Sequence, residues 1–165
     1  MKKAYIYPTK LGKILIAEDG QGITELSLYQ EKGENAEPDS MQDLEYEMRE
    51  TKLIKEAAIQ LEEYLAGARK EFTVKLNPQG TQFQKKVWDA LKAIPYGETR
   101  SYKQIAIEVG NEKASRAVGM ANHNNPIMCI IPCHRVIGAN GGLVGYAGGL
   151  STKEWLLNLE KERMQ

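Results

Sequence analysis

The sequence predicts an α+β (α/β) fold with two lobes, a small β-sheet lobe with one helix over residues 1–79 and a helical lobe over residues 80–165. Strand-like runs separated by glycine-containing turns fill the first 30 residues, whereas helical spacing with capping signals prevails after residue 80. Charge divides at the same place, since residues 1–79 carry 11 basic and 15 acidic side chains and residues 80–165 carry 11 and 7. A chain of 165 residues with 42% hydrophobic content suits two small lobes with a packed core.

The N-terminal lobe contains three short strand-like runs: Ala4–Tyr7, Lys13–Ala17 and Ile23–Tyr29. Residues 31–50 are acidic and polar, which predicts an exposed, mobile connection. Apolar residues at helical spacing predict an amphipathic helix over 52–66 that ends at Gly67. Strand character returns at Phe72–Leu76, and residues 77–80 are predicted to form the linker between the lobes.

Three capping boxes mark helix starts in the C-terminal lobe: Thr81–Gln84, Ser101–Gln104 and Ser151–Glu154. The first helix is predicted to end near Ile94, and the second runs through Val109 to a turn at Gly110–Glu112. A third helix follows over about 113–122, and the pair matches the outline of a helix-turn-helix. The last helix is predicted to turn three apolar side chains toward the core: Trp155, Leu156 and Leu159.

The second helix of the helix-turn-helix is rich in small residues: Ala114, Ser115, Ala117, Gly119 and Ala121. Small side chains let a helix backbone approach another surface closely, and that surface is either a neighbouring helix or DNA. Arg116 is the one long side chain that could reach into DNA. The net charge of +4 on residues 80–165 favours phosphate binding, although an ordinary solvated surface explains a charge difference of this size equally well.

The segment Ile130–Gly138 places Cys133 beside His134, one of only two histidines in the chain. The thiolate is the nucleophilic form of cysteine, and a neighbouring imidazole can help to remove the thiol proton. The alternative is a buried cysteine with a purely structural role. In an extended segment the two side chains would point to opposite faces, so contact needs a bend at Pro132 or a bridging water. Met128–Ile131 is predicted as a buried strand that leads into Cys133.

Seven short motifs follow one another between about Gly80 and Glu160: Tyr96-Gly97-Glu98-Thr99, Ser101-Tyr102, Ser115-Arg116-Ala117-Val118-Gly119, Asn125-Pro126, Pro132-Cys133-His134-Arg135-Val136, Gly145-Tyr146-Ala147-Gly148-Gly149-Leu150 and Lys153-Glu154-Trp155-Leu156-Leu157. In kind and order they resemble the motifs of the O6-alkylguanine-DNA alkyltransferases, also called methylated-DNA–protein-cysteine methyltransferases. The first 75 or so residues match that family only in size and pattern.

The resemblance implies DNA repair by direct reversal, with double-stranded DNA that carries O6-alkylguanine as the partner and alkylated O4 of thymine as a second substrate. Cys133 would take the alkyl group irreversibly, so one protein molecule would repair one lesion, without a cofactor. By the same resemblance, Glu160 and His134 form a relay to Cys133 through a water molecule, with the orienting logic of a catalytic triad. Asn125 would brace the turn before the cysteine segment.

A cysteine inside a protein cannot reach a stacked base, so the base must be flipped out of the duplex. The resemblance assigns Arg116 to the vacated stack and Tyr102 to rotation of the target phosphate and to the base pocket. It completes the DNA-contact set with Thr99, Ser101, Ala114, Ser115, Ala117 and Arg135. The walls of the pocket would come from Met128, Val136, Tyr146, Ala147 and Gly148. Some members have serine in place of Ala147, so only a backbone donor is expected there.

Two other functions remain open from the residues alone. A lesion-binding protein without catalytic activity would lack the active cysteine, and Cys133 argues against it. A cysteine hydrolase would need a nucleophile elbow or a separate histidine, and His123 lies in no such motif. The start of the chain has no secretory h-region, no apolar run has membrane-spanning length, and no cysteine precedes Cys129 to build an N-terminal zinc site. We therefore expect a cytoplasmic monomer with no metal and no membrane contact.

Overall fold

The N-terminal lobe is built on a four-stranded sheet in the order β3-β2-β1-β4. The computed structural model describes residues 2–30, 46–138, 141 and 149–163, and its first strands are β1 (Lys2–Thr9), β2 (Gly12–Glu18), β3 (Ile23–Leu28) and β4 (Tyr46–Met48). The first three confirm the three predicted strands and pair antiparallel, and β4 pairs parallel with β1. The predicted exposed, mobile connection over 31–50 contains this short strand, so the prediction is wrong over Tyr46–Met48. The rest of it, residues 31–45, lies outside the described residues.

Helix α1 (Lys52–Leu65) covers one face of this sheet and confirms the predicted helix. The Thr51 hydroxyl caps it by accepting from the Ile54 amide at 3.1 Å. Its apolar stripe packs on the sheet in a core that holds Ile14, Ile16, Ile54, Ala57 and Leu61, all at most 1% exposed. Gly67 follows in the left-handed region at φ +78°, which ends the helix.

The predicted strand Phe72–Leu76 is wrong, because the segment meets β3 only at an isolated bridge between Ile23 and Leu76. The edge of β3 is shared between two segments. Farther along β3, Leu26 forms a second isolated bridge with Ile127, just before the cysteine segment. Backbone bonds of 2.8 and 2.9 Å, from Leu26 to the Pro126 carbonyl and from the Met128 amide to Leu26, fix this bridge. The N-terminal sheet thus holds the segment that leads to Cys133.

The C-terminal lobe consists mainly of helices, with one two-stranded parallel sheet. Its elements are α2 (Gln82–Lys92), β5 (Arg100–Ser101), α3 (Tyr102–Glu108), α4 (Ser115–His123), a 3-10 helix (Cys133–Arg135), β6 (Val136–Ile137) and α5 (Leu150–Arg163). Capping boxes at Thr81 and Ser101 are present as predicted. Helices α3 and α4 pack together after the turn at Gly110, as expected for a helix-turn-helix. The indole of Trp88 donates to the Ala121 carbonyl at 2.9 Å and ties α2 to α4.

The last helix departs from the prediction at its start and on its buried face. Since α5 begins at Leu150, Ser151 lies inside its first turn rather than at the N-cap. Trp155 is 38% exposed, whereas Lys153, Leu156 and Glu160 are buried. These three residues are spaced i, i+3 and i+7 and form one stripe of the helix. In the described part of the chain, no helix is long and apolar enough to cross a membrane.

The predicted strand Met128–Ile131 is buried, as expected, but it forms consecutive turns instead of a strand. The Ile130 amide donates to the Met128 carbonyl at 2.8 Å, and Cys129 between them has φ +69°. This is a γ-turn of the rare, strained kind. The turns reverse the chain between its bridge to β3 and Cys133.

Candidate active site

Cys133 is the first residue of the short 3-10 helix and is 4% exposed. Pro132 makes the bend anticipated from the sequence, and across it the Cys133 amide donates to the Ile131 carbonyl at 2.8 Å. The 3-10 conformation removes the opposite-face geometry of a strand. Cys133 and His134 therefore both lie inside the protein, on one tight turn.

Asn125 braces the loop between α4 and this turn. Its side-chain amide donates to the Ile131 carbonyl at 2.8 Å, and its carbonyl oxygen accepts from the Ile127 amide at 3.0 Å. Both bonds close the loop on itself, in the position where the sequence predicted that Asn125 braces the turn. A side chain with one donor and one acceptor arm is needed for this pair of bonds.

His134 and Glu160 form a buried pair, with 2.6 Å between Nε2 and Oε2 and exposures of 0% and 1%. Arg135 adds a two-pronged contact to the same carboxylate, at 2.8 Å from Nε and 3.0 Å from Nη2. The Gly97 amide donates to Oε1 at 3.1 Å. Burial alone would raise the pKa of Glu160, but the bonds from His134 and Arg135 outweigh it and lower the pKa to about 2. Glu160 is thus an anion at neutral pH.

The tautomer of His134 follows from this contact. An ionised carboxylate only accepts, so Nε2 carries the hydrogen and Nδ1 is the acceptor. Nδ1 is buried and has no hydrogen-bond partner within the described residues. Burial lowers the pKa of His134, and Glu160 opposes that effect while Arg135 and Lys153 add to it. A neutral imidazole with an accepting Nδ1 is the form that can take a proton.

Lys153 is a functional candidate that the sequence reasoning missed. Its side chain is buried at the start of α5, and Nζ donates to the Val136 carbonyl at 2.5 Å. Burial lowers the pKa of Lys153, and the nearby Cys133 sulfur opposes that effect. The sequence could have indicated this burial, because Lys153 and Glu160 lie on the same helical stripe as the apolar residue Leu156. Tyr64 of α1 was also missed, since its position on an apolar stripe predicts only a core residue.

The predicted base pocket is only partly described. Tyr102 is half-buried at the first position of α3, and burial together with the Cys133 sulfur raises its pKa. Gly119 of α4 lies so close that a Cβ there would be 3.9 Å from the Tyr102 ring. Met128 and Val136 are buried, at 7% and 0% exposed. The remaining predicted wall residues lie outside the described residues: Tyr146, Ala147 and Gly148.

The surface of α4 divides into two faces. Val118 and Ala121 are buried against the lobe, whereas Arg116 and Ala117 are exposed and Ala114 and Ser115 are partly exposed. The predicted DNA-contact residues of this helix thus lie on or beside its open face.

Of the remaining predicted contacts, Thr99 is exposed, whereas the Ser101 hydroxyl caps α3 by accepting from the Gln104 amide at 3.1 Å. The assignment of Arg135 to DNA contact needs correction. Arg135 is 7% exposed, and its guanidinium donates to Glu160 and, at 2.8 Å, to the Ile94 carbonyl. A buried cation paired in this way stabilises the site from within and is not available to a phosphate.

Two domain models of one protein family together match nearly the whole chain. Residues 82–162 match the DNA binding domain of 6-O-methylguanine DNA methyltransferase, and residues 1–78 match the ribonuclease-like domain of the same family.

Individual relatives agree. The methylated-DNA–protein-cysteine methyltransferase of Methanosarcina acetivorans is 54% identical over 94% of this chain and 96% of its own length. The constitutive methylated-DNA–protein-cysteine methyltransferase of Bacillus subtilis is 49% identical over 93% and 92%. The crystal structure of Mycobacterium tuberculosis OGT in complex with DNA superposes with a TM-score of 0.84 at 42% identity, over 98% of this chain and 94% of that one. The chain therefore belongs to the 6-O-methylguanine DNA methyltransferase family.

Proposed function

We propose that this protein repairs DNA by direct reversal, with Cys133 as the acceptor of an alkyl group from the O6 position of guanine. Membership of the family supports the reaction. The observation that carries the assignment to Cys133 is its place on the same 3-10 turn as His134, whose Nε2 contacts Glu160 at 2.6 Å. A thiol next to an oriented, neutral imidazole is the arrangement that nucleophilic catalysis by cysteine requires.

The reaction starts with proton transfer from the Cys133 thiol through one water molecule to Nδ1 of His134. The sulfur then attacks the alkyl carbon, an S–C bond forms, and the C–O bond to guanine breaks with its electron pair going to O6. The guanine anion takes a proton at its ring nitrogen, and the His134 imidazolium returns the thiol proton through water to balance it, so the products are unmodified guanine and S-alkylcysteine. Because a thioether is a poor leaving group, the protein is consumed in a single turnover.

Glu160 keeps the imidazole oriented and stabilises the imidazolium that forms during proton transfer. Lys153 places a positive charge near the sulfur and favours the negative charge that develops there. Tyr102 is half-buried, and burial and the Cys133 sulfur raise its pKa, so its hydroxyl would stay protonated and donate to the base. Arg135 acts on the carboxylate of Glu160 and not on DNA.

DNA is the macromolecular partner, and the proposed contact surface is the open face of α4. Arg116 would fill the stack after the base leaves it, since an unstacked base costs a few kcal/mol. We also propose that the protein accepts alkylated thymine as a second substrate, acts as a monomer and is located in the cytoplasm. The two cysteines are free thiols, in keeping with a reducing compartment.

Intact-mass measurement tests the proposal directly. The protein is mixed with an equimolar duplex that carries one O6-methylguanine, and an unmodified duplex of the same sequence is the control. We expect a permanent mass gain of one methyl group in place of a hydrogen, located on the peptide of Cys133, together with restored guanine. Restored guanine without a mass gain would indicate hydrolysis, and binding with neither change would indicate a non-catalytic lesion binder.

A further inference from the structure

Tyr64 belongs to the N-terminal lobe, yet its hydroxyl contacts the His134–Glu160 pair of the C-terminal lobe. The side chain extends from the last turn of α1 and is 0% exposed. Its hydroxyl donates to Oε2 of Glu160 and lies 3.3 Å from Nε2 of His134. The ring is held by Phe72 and Tyr96, at centroid distances of 5.3 and 6.2 Å. One hydroxyl therefore contacts both members of the pair.

The distribution of donors on the carboxylate indicates more than a buried hydroxyl that needed an acceptor. Oε1 of Glu160 accepts from Gly97 and from Nε of Arg135. Oε2 accepts from His134, from Nη2 of Arg135 and from Tyr64. Tyr64 thus donates to the oxygen that His134 uses, although Glu160 already has four other donors. Each donor to that oxygen weakens its pull on the imidazole hydrogen.

We propose that Tyr64 is a positioning residue of the alkyl-transfer site, supplied by the N-terminal lobe. Its hydroxyl fixes the His134 ring with Nε2–H toward Glu160 and moderates the carboxylate, so that the imidazole stays neutral and Nδ1 stays free to accept the thiol proton. This role rests on the relay proposed for His134 and Glu160. It gives the N-terminal lobe a task in the chemistry in addition to covering the C-terminal lobe.

The direction of the expected effect follows from the groups around the His134–Glu160 pair, which come from every element packed against it: Tyr64 of α1, Tyr96 after α2, Cys129 of the preceding turn, Cys133 and Arg135 of the 3-10 helix, and Lys153 of α5. Burial lowers the pKa of His134, Arg135 and Lys153 lower it further, and Glu160 opposes them. Removing the Tyr64 hydroxyl leaves Glu160 less neutralised at Oε2. The pKa of His134 then rises, and the imidazole becomes protonated before it can serve as the acceptor.

The test is Tyr64→Phe, which removes the hydroxyl and keeps the ring. Imidazole ¹⁵N NMR over a pH series should show the Nε2–H tautomer of His134 in the wild type. In the variant the titration midpoint of His134 should rise by about one pH unit, because a hydrogen bond to a charged group is worth about that much.

The matched control is Tyr46→Phe, which removes a 2.7 Å tyrosine–glutamate bond to Glu25 elsewhere in the same lobe. It should leave the titration of His134 unchanged. In single-turnover assays, the rate of alkyl transfer falls at low pH as His134 is protonated. The midpoint of this fall should shift to higher pH for Tyr64→Phe and stay unchanged for Tyr46→Phe.

An unchanged His134 midpoint and tautomer in Tyr64→Phe would overturn the inference, even if the variant melts at a lower temperature, since a purely structural role predicts only the loss of stability. The NMR result does not depend on alkyl transfer. A wild-type protein that fails to gain an alkyl group refutes the proposed function, whereas an unmoved titration refutes only the role of Tyr64.

Discussion

The buried carboxylate of Glu160 gives the most quantitative prediction. Its pKa is about 2 in the folded protein, against an ordinary value of 4.5. A difference of roughly 2.5 pKa units corresponds to about 3 kcal/mol of folding free energy at neutral pH. Because the folded-state pKa is the lower one, this contribution is complete above about pH 4.5 and is lost as the pH falls toward about 2.

Glu160→Gln removes the charge and keeps the shape. The variant leaves Arg135 as a buried cation without its anion, and loss of one partner of such a pair costs about 3–5 kcal/mol. We therefore expect a loss of about 3 kcal/mol at neutral pH and a melting temperature lower by roughly 6–12 °C. The stability gap to the wild type should narrow as the pH falls from about 4.5 to about 2.

Chemical denaturation of both proteins over a pH series measures this gap. Glu154→Gln is the matched control, since Glu154 lies exposed on the same helix. The control should track the wild type at every pH. If the gap between wild type and Glu160→Gln is absent at neutral pH, or is equally large at all pH values, then Glu160 is not a stabilised anion in the folded protein and the reasoning about the relay fails.

Four further outcomes are expected. Glu160→Gln should transfer the alkyl group roughly a hundredfold more slowly at neutral pH, with partial recovery as the pH rises, in single-turnover assays; superimposable pH–rate curves would make Glu160 a bystander. Cys133→Ser should gain no alkyl mass while still binding DNA, whereas Cys129→Ala should keep full repair stoichiometry, and normal repair by the serine variant would refute the nucleophile. Arg116→Ala should slow repair of duplex DNA far more than reaction with a free modified base, because only the duplex has a stack to replace; equal slowing would place Arg116 at the pocket. Lys153→Met should slow transfer about tenfold, the effect of about 1.4 kcal/mol of lost charge stabilisation, and an unchanged rate would show that Lys153 serves only the Val136 carbonyl.

Local elements were predictable from the sequence because local interactions decide them. The capping boxes at Thr81 and Ser101 each join residues three apart, so their pattern is legible in the chain itself. The same holds for the helical stripe of α1 and for the bend at Pro132. The motif series also identified Cys133, His134, Asn125 and Glu160 as candidates, since resemblance carries residue types without coordinates.

Where local pattern and tertiary contact disagreed, the tertiary contact decided. Met128–Ile131 has the apolar composition of a strand, but its backbone bonds are made to β3 and within a strained turn at Cys129. Phe72–Leu76 does not form a strand, because the segment shares the edge of β3 with the segment around Ile127 and pairs there at only one bridge. Ser151 does not cap α5, because α5 begins at Leu150 and Ser151 is its second residue.

By itself, the sequence determined the two-lobed α+β fold and the family, and it singled out Cys133 as the candidate nucleophile. Only the tertiary structure decided that Arg135 pairs with Glu160 rather than with DNA, that Lys153 lies buried near Cys133, and that Tyr64 enters the His134–Glu160 pair from the other lobe. These contacts join residues between 20 positions apart, for Cys133 and Lys153, and 96 positions apart, for Tyr64 and Glu160. No periodicity spans such distances. A buried charge takes whichever partners the folded core places around it, because leaving it unpaired costs several kcal/mol.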